Sequence, residues 1–282
     1  MLEGNVRPAA NTAPAAEIRR LLRQLISSSL LLLLTGSCSE TKGVTMNPET
    51  YFSGQQLAAY NLARRGETER LLKAVKEGVD LNCPGQQRLT MLGFAVLTAD
   101  HDAIVNLVRA GANPNQVIPR AGSPAILAIT KHFNPPRTEA VAALLDAGYD
   151  PNQILGEGTP YLFYFVDYSH WLGLRLALQR GGNINVRRSN GESLLAYVVE
   201  RGELSQARDL IAAGADVTLR SAQDDTALLA IEYHIRRGDP SLREVWREML
   251  EFREFLLSKL TDPKDRRTVF TDLVEEKIRQ NP

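Results

Sequence analysis

Along this chain, short apolar stripes at helical spacing alternate with polar breaks. Leu92, Ala95 and Val96 make one stripe, and Ile104, Leu107 and Val108 make the next. Farther on, Leu195, Val198 and Val199 are followed by Ala207, Leu210 and Ile211. Residues three and four apart share one face of an α-helix, so each stripe predicts a helix with one buried side, and the pairs predict two-helix units. The second helix of each unit runs into a glycine and an Asx-rich turn: Gly78-Val79-Asp80-Leu81-Asn82, Gly111-Ala112-Asn113-Pro114-Asn115, Gly148-Tyr149-Asp150-Pro151-Asn152, Gly181-Gly182-Asn183-Ile184-Asn185 and Gly214-Ala215-Asp216-Val217-Thr218. The glycines stand 33, 37, 33 and 33 residues apart. A hydroxyl residue recurs eight positions after the turn, at Thr90, Ser123, Ser193 and Thr226, and seven after it at Thr159.

Each landmark has a mechanical role. The hydroxyl suits an N-cap, and Pro124 or Pro160 after it suits the first helical position, where no N–H is needed. The glycine can take the left-handed conformation that ends a helix, and the Asx residues make a hairpin-like finger leading to the next unit.

These features resemble the ankyrin repeat, whose signature is T-P-L-H-x-A with a closing G-A-D-x-N. Thr90-Met91-Leu92-Gly93-Phe94-Ala95 and Thr159-Pro160-Tyr161 carry parts of the opening motif, and Gly214-Ala215-Asp216 carries the closing one. The resemblance covers about Gln55 to Leu260. It implies an all-α solenoid of about six helix-turn-helix units with fingers, over residues 53–260. Each unit would bury its apolar face only against its neighbours, so both ends need polar caps. The first unit, opening with Gln56 to Ala63, and a long charged helix over Leu242 to Leu260 read as those caps. Residues 261–282, with Val269, Phe270, Leu273, Val274 and Ile278, read as a further capping helix. Asn134-Pro135-Pro136 predicts a protruding loop between the helices of the third unit.

The amino-terminal segment has a different pattern. Arg19, Arg20 and Arg23 precede an uncharged run from Gln24 to Ser39 with Leu30 to Leu34 at its heart. That run would span about 24 Å as a helix, short of a hydrocarbon core, and the order of charge, apolar run and small residues is that of a signal peptide over residues 1–37. Leu34-Thr35-Gly36-Ser37-Cys38 resembles the lipobox of bacterial lipoproteins, with Thr35 where that family most often has Leu. The resemblance implies lipidation of Cys38, cleavage before it, a polar tether over 38–52 and a periplasmic location. Ser39 after the cysteine favours the outer membrane. A plain signal peptide, or a hydrophobic helix with an incidental cysteine, are the alternatives.

Composition narrows the chemistry. Thirty-three basic and thirty-three acidic residues give zero net charge, which removes the footprint of non-specific nucleic-acid binding. Cys38 and Cys83 provide no C-x-x-C pair, and His101, His132, His170 and His234 have no metal-ligand spacing, so no metal and no cofactor are expected. Glu244, Glu248, Glu251 and Glu254 alternate with Arg243, Arg247 and Arg253 at spacings that predict exposed ion pairs. No nucleophile, phosphate loop or general-base motif is present, so no catalytic site is expected. The family resemblance implies a protein partner gripped by fingers and first helices. The candidate residues are Arg88, Arg120, Arg187, Arg188, Asn190, Gln223, Asp224 and Asp225 on the fingers. On the fourth unit, Tyr161, Phe163, Tyr164, Phe165, Tyr168 and Trp171 crowd one helix and its turn, and six rings on about three turns cannot all face inward. Phe163, Asp167, Tyr168 and Trp171 are the candidates there. Degenerate repeats of this kind occur in bacterial immunity proteins that neutralise a toxic effector, such as a type VI secretion phospholipase, and that is the function the resemblance implies. A periplasmic scaffold for an enzyme such as catalase, or a small catalytic domain, are the alternatives.

Overall fold

Four of the five hydroxyl residues on the repeat ruler cap helices. Thr90 accepts from Gly93 N at 3.0 Å, Ser123 from Ile126 N at 3.4 Å, Ser193 from Ala196 N at 3.1 Å and Thr226 from Leu229 N at 3.0 Å. Each bond satisfies one of the backbone donors that a helix start leaves open. The computed structural model describes residues 46–117, 122–130 and 138–281. A leading unit, Met1–Thr50, is described only over residues 46–50, which include the turn Pro48–Thr50; a second unit runs from Tyr51 onward.

That second unit holds six helix pairs among the described residues. They are α1 (Gly54–Arg64) with α2 (Thr68–Lys76), α3 (Met91–Thr98) with α4 (His101–Arg109), α5 (Pro124–Ile129) with α6 (Thr138–Asp146), α7 (Tyr161–Asp167) with α8 (Trp171–Gln179), α9 (Leu194–Glu200) with α10 (Leu204–Ala212), and α11 (Ala227–Arg237) with α12 (Arg243–Lys259). A last helix, α13 (Thr271–Gln280), packs on α11. First helices stack in the order α3, α5, α7, α9, α11, and second helices in the order α4, α6, α8, with α1 packed against α4. The stacking buries Leu92, Ala95, Ile104, Leu107, Leu195, Val198, Ala207 and Leu210 as their spacing predicts. Val108 and Ile211 lie half-buried at the edge of their stripes.

The ruler glycines end the second helices at φ near 100°, from 94° at Gly181 to 105° at Gly111. There a Cβ would be strained. After each glycine the Asx residues close tight turns, and their side chains also bind the next finger. Asn82 Oδ1 accepts from Asn113 N at 2.7 Å, Asn152 Oδ1 from Asn183 N at 2.6 Å and Asn185 Oδ1 from Asp216 N at 2.8 Å. Asn152 Nδ2 returns a bond to the Gly181 carbonyl at 3.0 Å. Asn115 departs from the series, because its Oδ1 accepts from the Tyr149 hydroxyl at 2.7 Å instead.

Thr159 is the one hydroxyl that does not cap. The finger before it closes as a hairpin, with β1 (Ile154–Leu155) antiparallel to β2 (Thr159–Pro160), so Pro160 becomes the N-cap and α7 starts at Tyr161. Both ends of the stack are sealed by side chains. At the first, Phe52, Tyr60 and Phe94 are buried edge to face, with Tyr60 and Phe94 centroids 5.2 Å apart. At the last, Arg253 corrects the expectation of an exposed helix: it is 4% exposed and both its Nε and its Nη2 lie 2.9 Å from the fully buried carboxylate of Glu232 on α11. The loop and helix beyond complete this site, since Thr268 and Thr271 also donate to Glu232. Arg247 and Glu251, 3.7 Å apart and exposed, do form the expected kind of pair. The proline loop at 134–136, the Cys38 site and the signal segment lie outside the described residues.

Candidate functional site

The six rings of the fourth unit fall into two groups. Tyr161, Phe163 and Phe165 are fully buried, whereas Tyr164, Tyr168 and Trp171 are partly exposed. Tyr161 reaches back to the Ala125 carbonyl at 3.2 Å and packs between Tyr149 and Phe165, with both centroid distances 5.0 Å. Gly173 makes room for this core, because a Cβ there would lie 2.6 Å from the Phe165 ring. Phe163 therefore cannot offer a free ring to a partner, and its candidacy is corrected: it is a platform for Arg188.

Arg188 descends from the fourth finger and lies over two rings, 4.4 Å from the Phe163 centroid and 3.9 Å from that of Tyr197 on α9. Its Nη1 donates to Glu192 at 2.9 Å. The Tyr197 hydroxyl donates to Asp167 on α7, and Arg201 stands 3.6 Å from the same carboxylate. Phe163, Asp167 and Arg188 thus meet in one cluster, which Tyr197, Glu192 and Arg201 complete. The cluster carries two consequences of burial. Burial first, and then the facing Glu200 carboxylate, push the Glu192 carboxyl up to about 7, against the opposing pull of Arg188. Burial and the Asp167 carboxylate also hold the Tyr197 hydroxyl above its ordinary range, so it stays a donor. The Nε–H groups of Arg188 and Arg201 are buried without an acceptor among the described residues, which is costly for a guanidinium.

The remaining candidates do other work. Arg187 donates through Nε to Gly191 O at 2.7 Å and also to the Arg220 carbonyl in the next finger. Asn190 O accepts from Ala222 N at 3.0 Å. Asp224 and Asp225 accept from Arg220 and from Ser221 Oγ, each at 2.7 Å, and Gln223 N donates to Ser221 Oγ at 3.1 Å. These residues shape and join the last two fingers, with Gln223 and Asp224 still exposed at the tip. Arg88 is exposed on the first finger, at φ 61° beside Gln87 at φ 57°, well removed in sequence from the cluster. Arg120 lies outside the described residues. His170 is 2% exposed, lies near the Phe165 ring and shares a 3.2 Å contact with Thr138; burial lowers its pKa.

Tyr197, Glu192 and Arg201 were not among the sequence candidates. The ruler held the signal, since Tyr197 stands 33 residues after Tyr164 and thus at the same helix position. Counting four residues on from each cap gives the row Phe94, Leu127, Tyr164, Tyr197 and Ala230. Hydroxylated rings occupy it only in units four and five.

No protein-family model matches the chain. Over 196 residues it is 27% identical to the B-cell lymphoma 3 protein homolog of Mus musculus, covering 57% of this chain and 44% of that protein. Over 97 residues it is 35% identical to an ankyrin repeat-containing protein of Schizosaccharomyces pombe, covering 34% of this chain and 45% of that one. The chain thus spans less than half the length of either curated relative. A solved chain from the complex of a predatory endopeptidase of Bdellovibrio bacteriovorus with an immunity protein superposes with a TM-score of 0.45 at 20% identity, covering 69% of this chain and 97% of that chain. Stacked helix pairs, left-handed closing glycines and linked fingers make this chain an all-α ankyrin-repeat solenoid.

Proposed function

We propose that the protein captures a protein partner on the finger side of units four and five, and that lipidated Cys38 holds it at a membrane facing the periplasm. The observation that carries the reading is the network of Arg188, Tyr197, Asp167 and Arg201. Rings and ion pairs stand there half-exposed, where the second unit has the buried Phe94. Tyrosine, tryptophan and arginine dominate interface energetics because each combines a large apolar body with a polar edge. The finer form of the proposal is that the partner is a secreted toxic effector, such as a type VI secretion phospholipase, and that the bound solenoid blocks its cleft.

Capture of partners from the native envelope tests the reading. Trp171→Ala or Tyr168→Ala should weaken capture by about thirtyfold, the effect of losing an anchor worth roughly 2 kcal/mol, while thermal unfolding stays nearly unchanged. A large loss of thermal stability would assign both rings to the core, and undiminished capture would place the partner elsewhere. Cys38→Ala should move the chain out of the membrane fraction; unchanged fractionation would remove the anchor from the proposal. Expression of the chain should protect cells against the effector it binds, and failure to protect would remove the inhibitory role.

A further inference from the structure

Several arginines of units four and five are answered by a carboxylate. Arg188 meets Glu192, Arg201 meets Asp167, and Arg220 meets Asp224 and Asp265 at 2.7 and 2.8 Å. Unit six differs. Arg236 and Arg237, at the end of α11, are exposed and form no ion pair among the described residues. Each lies instead against a ring. Arg236 sits 4.8 Å from the Phe270 centroid, and Arg237 sits 5.4 Å from that of Tyr233 and donates to its hydroxyl. Lys277 adds a third cation, with Nζ held by the carbonyls of Arg236 and Gly238 at 2.8 and 2.7 Å.

The nearby acids offset this charge only in part: Asp239 and Glu276 keep their negative charge, with Asp239 drawn to Lys277, while neither forms an ion pair with Arg236 or Arg237. Asp239, fully exposed, feels Lys277 but uses Oδ1 to close its own turn on Ser241. On α13, Asp272 pairs with Arg267, Glu275 faces Arg253 and Glu276 accepts from Gln280. Apolar surface accompanies the cations: Tyr233 is 40% exposed, and Leu273 is 54% exposed one turn before Lys277 on the same side of α13. A guanidinium lying on a ring already has its orientation fixed and keeps most of its N–H donors, the arrangement that suits recognition of a carboxylate; Arg237 spends one Nη1 donor on the Tyr233 hydroxyl.

We infer that this end of the stack docks an acidic segment of a partner protein, its carboxylates meeting Arg236 and Arg237 and an adjacent aromatic or aliphatic side chain covering Tyr233 and Leu273. The site deepens the protein-binding reading, since α11 continues the row of first helices after α9 and His234 on it contacts the Glu200 carbonyl at 2.9 Å. Charge complementarity selects the occupant, and the apolar flank favours a peptide over a bare polyanion.

Fluorescence anisotropy on the full chain tests this with a short labelled peptide alternating aspartate and phenylalanine, a copy with lysine for aspartate, and a single-stranded oligonucleotide of equal charge. The aspartate peptide should bind, more weakly as salt rises, and the lysine copy should not. Arg236→Gln with Arg237→Gln should weaken the aspartate peptide at least about tenfold. Arg236→Lys with Arg237→Lys should lose part of the affinity, because charge remains and the fork geometry does not. Trp171→Ala should leave peptide binding unchanged, so failure at this site and failure of the wider groove are told apart. Absence of aspartate-peptide binding, equal binding of the lysine copy, an unaffected glutamine variant, or an oligonucleotide that binds as tightly would each overturn the inference.

Discussion

Replacing Arg253 by methionine should loosen the carboxy-terminal cap and leave the early repeats intact. Glu232 is wholly buried and has four donors: Arg253 Nε and Nη2, each 2.9 Å away, Thr271 at 3.0 Å and Thr268. Removing one partner of a buried ion pair costs about 3–5 kcal/mol, because the other charge stays buried without its counter-ion. The two threonine donors remain and methionine fills most of the vacated volume, so about 3 kcal/mol is expected. In a domain of this size that lowers the unfolding midpoint by roughly 6–12 °C. Repeat stacks lose structure locally, so hydrogen exchange should quicken first in α12 and α13. Thermal melts followed by circular dichroism, with exchange read by mass spectrometry, check both expectations. Adding Glu232→Gln should recover most of the loss, since the stranded charge disappears while Thr271 keeps an acceptor. An unmoved midpoint for Arg253→Met, or a double variant no more stable than the single, would refute the argument that this pair locks the cap.

Asn152→Ala should cost about 1–2 kcal/mol, since it removes an acceptor from Asn183 N and a donor to Gly181 O; Asn115→Ala, which loses only the Tyr149 bond, should cost less, and urea unfolding of the two compares them directly. The pH dependence of stability should carry the mark of Glu192. Its folded carboxyl is pushed from 4.5 up to about 7, so between those values the folded state keeps a proton that the unfolded chain releases, and stability falls as pH rises through that window. Urea unfolding of Glu192→Gln at about pH 5 and about pH 8 should show a smaller difference than the natural chain; an equal difference would clear Glu192.

The repeat was legible because its parts are local. A left-handed glycine, an Asx turn and a capping hydroxyl each act within a few residues, and a fixed period multiplies the signal at Gly78, Gly111, Gly148, Gly181 and Gly214. What escaped depends on contacts between units. Thr159 looked like its four counterparts, but the hairpin at Ile154–Pro160 moved the helix start by one residue. Arg253 shares its helix with exposed arginines, and only the approach of α11 makes its partner the buried Glu232. Among the six rings of unit four, composition announced an excess without saying which were spare; packing around Gly173 chose Tyr161, Phe163 and Phe165 for the core. Half of the site, Phe163, Asp167 and Arg188, is named by the sequence. Of the other half, Glu192 follows Arg188 in the same finger, and Tyr197 and Arg201 lie one repeat after Tyr164 and Tyr168, visible only when units are laid side by side.

The row of fingers behaves as two splints and a joint. From the third finger to the fifth, each asparagine clasps a backbone N–H of its successor, and the first clasps the second in the same way. Between the second and third, a side-chain hydroxyl stands in for that backbone clasp. Bending of the row should therefore concentrate beside Tyr149, letting the two splints adjust their angle to a curved guest without loosening either one.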